Sequence, residues 1–168
     1  MKHIYTILLM VIALLTSCEE SDKYTVAVDT DDLIYYVEYT SDCKISYIPD
    51  DAFDAKIKAH KWHNGIGRIY FDRPIKKIGY GAFYNCDSLE SINIPDSVTS
   101  IGDNAFCFCD ELKSVYCRAT TPPQLGNNVF YYNASGRKIY VPRNSVYAYK
   151  SAAGWTSYAA NIAGYDFE

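Results

Sequence analysis

From Ile4 to Leu15 nearly every residue is apolar, a run of about a dozen positions, shorter than the ~20 that a helix needs to cross a bilayer. Residues 19 to about 30 are polar and acidic. Strand-like alternation of apolar and polar positions begins at Leu33–Tyr39 and resumes at Lys44–Ile48. Thr40-Ser41-Asp42-Cys43 between them reads as a turn, so the two runs predict a β-hairpin.

Further on, the pattern repeats. A shift of 23 residues lays Ile78, Gly79, Ala82, Phe83, Cys86, Asp87, Leu89 and Ser91 on Ile101, Gly102, Ala105, Phe106, Cys109, Asp110, Leu112 and Ser114. Ile92 meets Val115, and Ile94 meets Cys117. A third copy, one residue longer, runs through Gly126, Asn128, Val129, Phe130, Ile139, Val141 and Pro142. A degenerate copy precedes them, with Asp51-Ala52-Phe53 at the corner, Ile69 and Phe71 on the strand, and an insertion around Lys56 to Gly65. Within Leu89–Ile94, Ile92 and Ile94 share one face and Ser91 and Asn93 the other, which is a short strand with one buried side. Pro95 cannot donate to a ladder and ends it. Gly79 and Gly102 mark a backbone turn that a Cβ would strain. No single copy can bury its apolar face, so the copies must stack. One strand per coil in the same sense gives a parallel sheet, with Phe83, Phe106 and Phe130 as an aromatic spine.

The pattern Ile-Gly-x-x-Ala-Phe-x-x-Cys-x-x-Leu-x-x-Ile-x-Ile-Pro-x-x-Val-x-x-Ile-Gly resembles the BspA-type leucine-rich repeat of bacterial surface proteins. The resemblance implies an α/β repeat solenoid: a short right-handed superhelix with parallel strands, about four coils over residues 50–142. It also implies a role in adhesion and host contact. Residues 31–49 are then an N-terminal hairpin cap, because an uncovered solenoid end exposes core and strand edges. Residues 143–168 are a helical C-terminal cap, in which Asn144 or Ser145 starts a short helix, Gly154 stops it, and Trp155 lies over the last coil.

Met1, Lys2 and His3 followed by the apolar run fit a secretory signal over residues 1–17. Leu15-Thr16-Ser17-Cys18 resembles a bacterial lipobox, which implies lipidation of Cys18 and a membrane contact through the attached chains. Glu19, Glu20, Ser21 and Asp22 then resemble the surface-export tether of Bacteroides-type lipoproteins, with residues 18–30 as lipidated Cys and flexible tether. The localisation implied is the cell envelope: an outer-membrane lipoprotein exposed at the surface.

Composition narrows the chemistry. The formal net charge is −4, so nothing draws the chain to a phosphate backbone, and nucleic acid is a poor partner. Seventeen tyrosines suit contact surfaces and also pave β-rich folds. With Cys18 assigned to lipid, five cysteines remain, too uneven for a complete disulfide framework. Any bridge among Cys43, Cys86, Cys107, Cys109 and Cys117 stays open at this point. Cys86 and Cys109 are repeat-equivalent and read as buried small hydrophobes. The spacing of Cys107, Cys109 and Cys117 matches no zinc pattern. His60 and His63 lack a third ligand and read as solvent-facing. No nucleophile, base and orienter come together, so no enzyme, metal or cofactor is expected.

The outward strand positions carry the functional expectation. They are Arg68, Tyr70 and Asp72, then Ser91 and Asn93, then Ser114, Tyr116 and Arg118, then Lys138 and Tyr140. In leucine-rich repeats this face is concave and binds ligands. Tyr70, Asn93, Tyr116 and Tyr140 would form one column, suited to a glycan, a peptide or a host protein. The same stacked side chains can instead serve only to steady one another. Four strands offer about 200–250 Å², against the ~800 Å² per partner of a standard interface. That deficit favours a short ligand, a larger patch reaching Trp62, or many weak contacts by monomers anchored side by side. A structural or accessory subunit docking to another envelope protein is the alternative.

Overall fold

The computed structural model describes residues 34–167. The proposed signal, Cys18 and the tether lie outside these residues. The described residues form ten strands: β1 (Tyr36–Ser41), β2 (Ile57–His63), β3 (Ile66–Phe71), β4 (Lys77–Ile78), β5 (Leu89–Ile94), β6 (Ser100–Ile101), β7 (Ser114–Cys117), β8 (Gln124–Leu125), β9 (Lys138–Pro142) and β10 (Ile162–Tyr165). A short α-helix, α1 (Val146–Ser151), precedes a 3-10 segment over Trp155–Asn161. Seven strands build one sheet in the order β10-β9-β7-β5-β1-β3-β2, and β4-β6-β8 build a second.

The repeat sets the middle of both sheets. β5, β7 and β9 are parallel and in repeat register: Ile92 opposite Val115 opposite Ile139, and Asn93 opposite Tyr116 opposite Tyr140. Lys77-Ile78 likewise pairs with Ser100-Ile101, and that pair with Gln124-Leu125. Ile92, Ile94, Val115, Cys117, Ile139 and Val141 are all fully buried between the two sheets. The phenylalanines stack at the coil corners: Phe83 on Phe106 at 5.2 Å and Phe106 on Phe130 at 5.4 Å, each pair 8° from parallel. Phe53 of the degenerate copy begins this spine, edge-on to Phe83 at 6.1 Å. Ring pairs of this kind contribute roughly 0.5–1.5 kcal/mol each beyond their buried area.

The glycines of the corner act through proximity and not through φ. A Cβ on Gly102 would lie 2.8 Å from the Gly79 carbonyl carbon and the Tyr80 nitrogen of the preceding coil. Gly102 N–H donates to the Ile78 carbonyl at 2.8 Å, and Gly126 N–H to that of Ile101 at 2.8 Å. Backbones touch here, so a side chain has no room.

The N-terminal end differs from the expected hairpin. Lys44–Ile48 forms no strand, although Ile45 and Ile48 are buried. The hairpin is instead β2–β3, built from the insertion, with His63 paired to Ile66 across Asn64-Gly65. Both turn residues have positive φ, 49° and 82°, the backbone that an Asn-Gly two-residue turn supplies. β1 enters the sheet between β3 and β5 and runs antiparallel to both. The strand of the degenerate copy is therefore not the parallel neighbour of β5. Val37 and Tyr39 of β1 bury on the same side as Ile69 and Phe71, which fixes the register. His60, read as solvent-facing, is half-buried, and the Tyr39 hydroxyl lies 2.7 Å from its Nε2. Trp62 is half-buried and packs against the core.

At the other end Trp155 is fully buried, edge-on to Tyr149 at 4.8 Å, and its indole N–H donates to the Pro123 carbonyl at 2.7 Å. Beyond it the chain adds β10, a further parallel strand on β9 that the helical reading of this segment did not include.

Candidate binding face

The outward side chains of β5, β7 and β9 do line up. Tyr116 and Tyr140 stack at 4.9 Å, 16° from parallel. Asn93 stands beside them in register, and its Oδ1 accepts from Arg118 Nε at 3.0 Å. Ser91 and Ser114 pair one step earlier, with Lys138 exposed at the end of that row.

The column does not continue to Tyr70. β1 intervenes, so Glu38 stands between Arg68 and Asn93, and Tyr36 lies opposite Tyr70. The Tyr36 and Tyr70 rings are 5.7 Å apart and tilted. Arg68 Nε donates to Glu38 Oε2 at 2.7 Å, and its guanidinium lies 5.5 Å from the Tyr36 ring centre. The hydrogen bond to Glu38 raises the Arg68 pKa above its ordinary value. Thr40 Oγ1 lies 2.7 Å from Ser91 Oγ. Asp72 leaves the face altogether. It lies past the end of β3, where its carboxylate accepts from the Lys56 N–H at 3.1 Å. That contact closes the start of the β2–β3 hairpin.

The C-terminal segment contributes two residues that the repeat gave no reason to expect. Tyr165 leans over the tyrosine pair, edge-on to Tyr116 at 5.4 Å and tilted against Tyr140 at 5.6 Å. Phe167 follows it, with the Arg118 guanidinium 5.0 Å from its ring centre. A two-pronged ion pair holds this segment: Arg143 Nε to Asp166 Oδ1 at 2.9 Å and Nη2 to Oδ2 at 2.7 Å. Asp166 titrates below the ordinary carboxyl value because Arg143 bonds its charged form.

Two clefts open on this face and share Glu38, Asn93 and Arg118. The smaller, about 190 Å³, lies between β1, Tyr116, Tyr165 and Phe167. The larger, about 440 Å³, opens where β3 and β5 end and β1 begins, between Pro74 and Pro95 and under Tyr35 and Tyr36. An antiparallel strand between two parallel ones creates this place, since its entry meets both of their exits. The lining offers rings, a carboxylate, an amide and a guanidinium. Such a mixture holds a chain by ring contact and by hydrogen bonds to its polar groups.

Among the described residues no group of His, Cys, Asp and Glu could hold a metal ion. No described helix is long and apolar enough to cross a membrane. No curated protein matches the chain. A family model described as the BspA type leucine rich repeat region matches residues 54–156 in six copies, where the sequence reading counts about four coils.

Proposed function

Because the chain belongs to the BspA-type leucine-rich repeat family, we propose that it is a protein-binding module whose ligand lies across the outer face of β1, β5, β7 and β9. One observation carries this reading. Glu38, Asn93 and Arg118 line two adjoining clefts on the outward side of the sheet, Tyr116 lines the smaller, and Tyr140 stacks on Tyr116 beside it. Those four strands give a face of roughly 200–250 Å², well under the ~800 Å² per partner of a standard interface. A short extended segment of a partner protein fits that area better than a folded surface does. The lipobox resemblance at Cys18 supports a surface-anchored lipoprotein of the outer membrane, where many copies would add weak contacts together. The module would then act in adhesion or recognition.

Binding of the chain without its first 23 residues to immobilised extracellular-matrix proteins, peptides and glycans tests the face. Tyr116→Ala with Tyr140→Ala should weaken binding by at least about 10- to 100-fold, as loss of contact tyrosines does, while leaving the fold intact. Unchanged affinity would move the site elsewhere, and a glycan as the sole ligand would replace the protein reading. For the anchor, a labelled fatty acid fed to producing cells should enter the wild-type chain and not Cys18→Ser. Equal labelling of both would remove the lipid from the proposal.

A further inference from the structure

We propose that Cys43 and Cys86 form a disulfide that staples the segment leaving β1 onto the first full coil of the repeat. The geometry brings them together from both sides. Ser41, the last residue of β1, stands opposite Leu89 of β5. Two residues on, Cys43 Sγ lies 3.5 Å from Ser88 Oγ. Ser88 belongs to the turn that Cys86 opens and that Leu89 N–H closes onto the Cys86 carbonyl at 3.1 Å. The two thiols are close enough that charge on Cys43 raises the pKa of Cys86.

The other three cysteines in the described residues are spoken for by the interior. Cys107, Cys109 and Cys117 are all buried, whereas Cys43 and Cys86 are each partly exposed. Cys109 donates to the Phe83 carbonyl at 3.0 Å, and Cys117 Sγ lies 3.2 Å from the Tyr149 hydroxyl. Residues 42–49 contain no strand or helix, so Cys43 can close the remaining distance to bonding geometry without breaking a ladder.

The chemistry assigns an order. Burial pushes the Cys86 thiol up to about 12, with the negative charges of Asp87 and Cys43 adding to it, so Cys86 holds little thiolate near neutral pH and reacts second. Cys43 therefore attacks first. Its thiolate opens a small-molecule disulfide R–S–S–R, forms the mixed disulfide and releases one R–SH. Cys86, on losing its proton, attacks the Cys43 sulfur, forms the Cys43–Cys86 bond and releases the second R–SH. Two thiols and one external disulfide become one protein disulfide and two small thiols. The closing step should quicken as pH rises, since it waits on the Cys86 thiolate.

The test is oxidation of the native full chain with oxidised glutathione, followed by alkylation of remaining thiols, intact mass and peptide mapping. The proposal expects a mass about 2 Da lower, two fewer alkylated cysteines and a cross-link between the peptides holding Cys43 and Cys86. Cys43→Ser should abolish that cross-link, Cys86→Ala should leave a lasting glutathione adduct on Cys43, and Cys109→Ser should still bridge. A wild-type chain that keeps both thiols, retains glutathione on Cys43, or bridges Cys43 to Cys18 or Cys86 to Cys109 overturns it.

Discussion

At the scale of single residues, the coil corners show how one chemical role survives a change of side chain. The spine phenylalanine of each coil leaves a carbonyl facing inward. Cys109 donates to that of Phe83 at 3.0 Å, Asn133 to that of Phe106 at 2.7 Å, and Arg137 to that of Phe130 at 2.8 Å. Asn133 breaks the sequence pattern of Cys86 and Cys109 yet keeps a donor in place, so the pattern of letters understated the regularity of the coil. The same corners hold Asn85, Phe108 and Tyr132 at equivalent positions with φ of 58°, 59° and 49°. Asparagine tolerates that backbone, whereas bulky residues enter it at a cost of about 1–2 kcal/mol. Their rings stack outside the coil at 4.7 Å, which offsets part of it. His60 gives a residue-scale prediction. Burial, with Lys44 nearby, lowers its pKa from 6.5 to about 4 in the folded chain. Between those values only the unfolded chain takes up the proton. Stability should thus be full above about pH 6.5, fall by about 3 kcal/mol as pH drops to about 4, and level off below that as far as His60 is concerned. Denaturation midpoints measured across that range in wild type and His60→Gln check it, since the variant should lose this part of the slope.

At the scale of elements, strands were legible and their partners only in part. The 23-residue shift, one residue longer in the third copy, placed β5, β7 and β9 side by side because like coils can meet in one register only. It could not place β1, whose alternation says which side is buried and nothing about which strands flank it. Asn64-Gly65 is a readable hairpin signal lying inside the insertion of the degenerate copy. The glycines were half-read: their need was clear, and its cause, contact between stacked backbones, needs two coils in view. Gly102→Ala should therefore be costly, several kcal/mol, because the atoms that its Cβ meets at 2.8 Å are backbone and cannot swing aside. Gly136→Ala, with nothing within 4 Å of the added carbon but φ of 79°, should lose only about 1 kcal/mol. Chemical denaturation of both variants gives the comparison.

At the scale of the whole molecule, the ends decide how much of the face is available. β2 and β10 are the outer strands of the large sheet. The segment past β10 lays Tyr165 and Phe167 over one side of the outward row, so the face that a ligand would meet is narrower there and more aromatic. Of the ten residues marked as outward in the sequence, those on β5, β7 and β9 stand together as the repeat requires. Arg68 and Tyr70 are set apart by β1, and Asp72 turns to Lys56. Tyr36, Glu38, Tyr165 and Phe167 could not have been found from the repeat, because they enter from segments outside it.

The equal register of successive coils has a consequence for how such a chain can change over generations. Removing residues 92–114, or copying them in place, joins Ser91-like and Val115-like neighbours without shifting any rung out of step. Length is thus a digit that heredity can raise or lower by one, while each remaining Phe still finds a Phe above it. A gain or loss of another size keeps the ladders in step only where a loop absorbs it, as the extra residue between β7 and β8 does; within a strand it would turn the faces over, so the protein's history is written chiefly in whole turns.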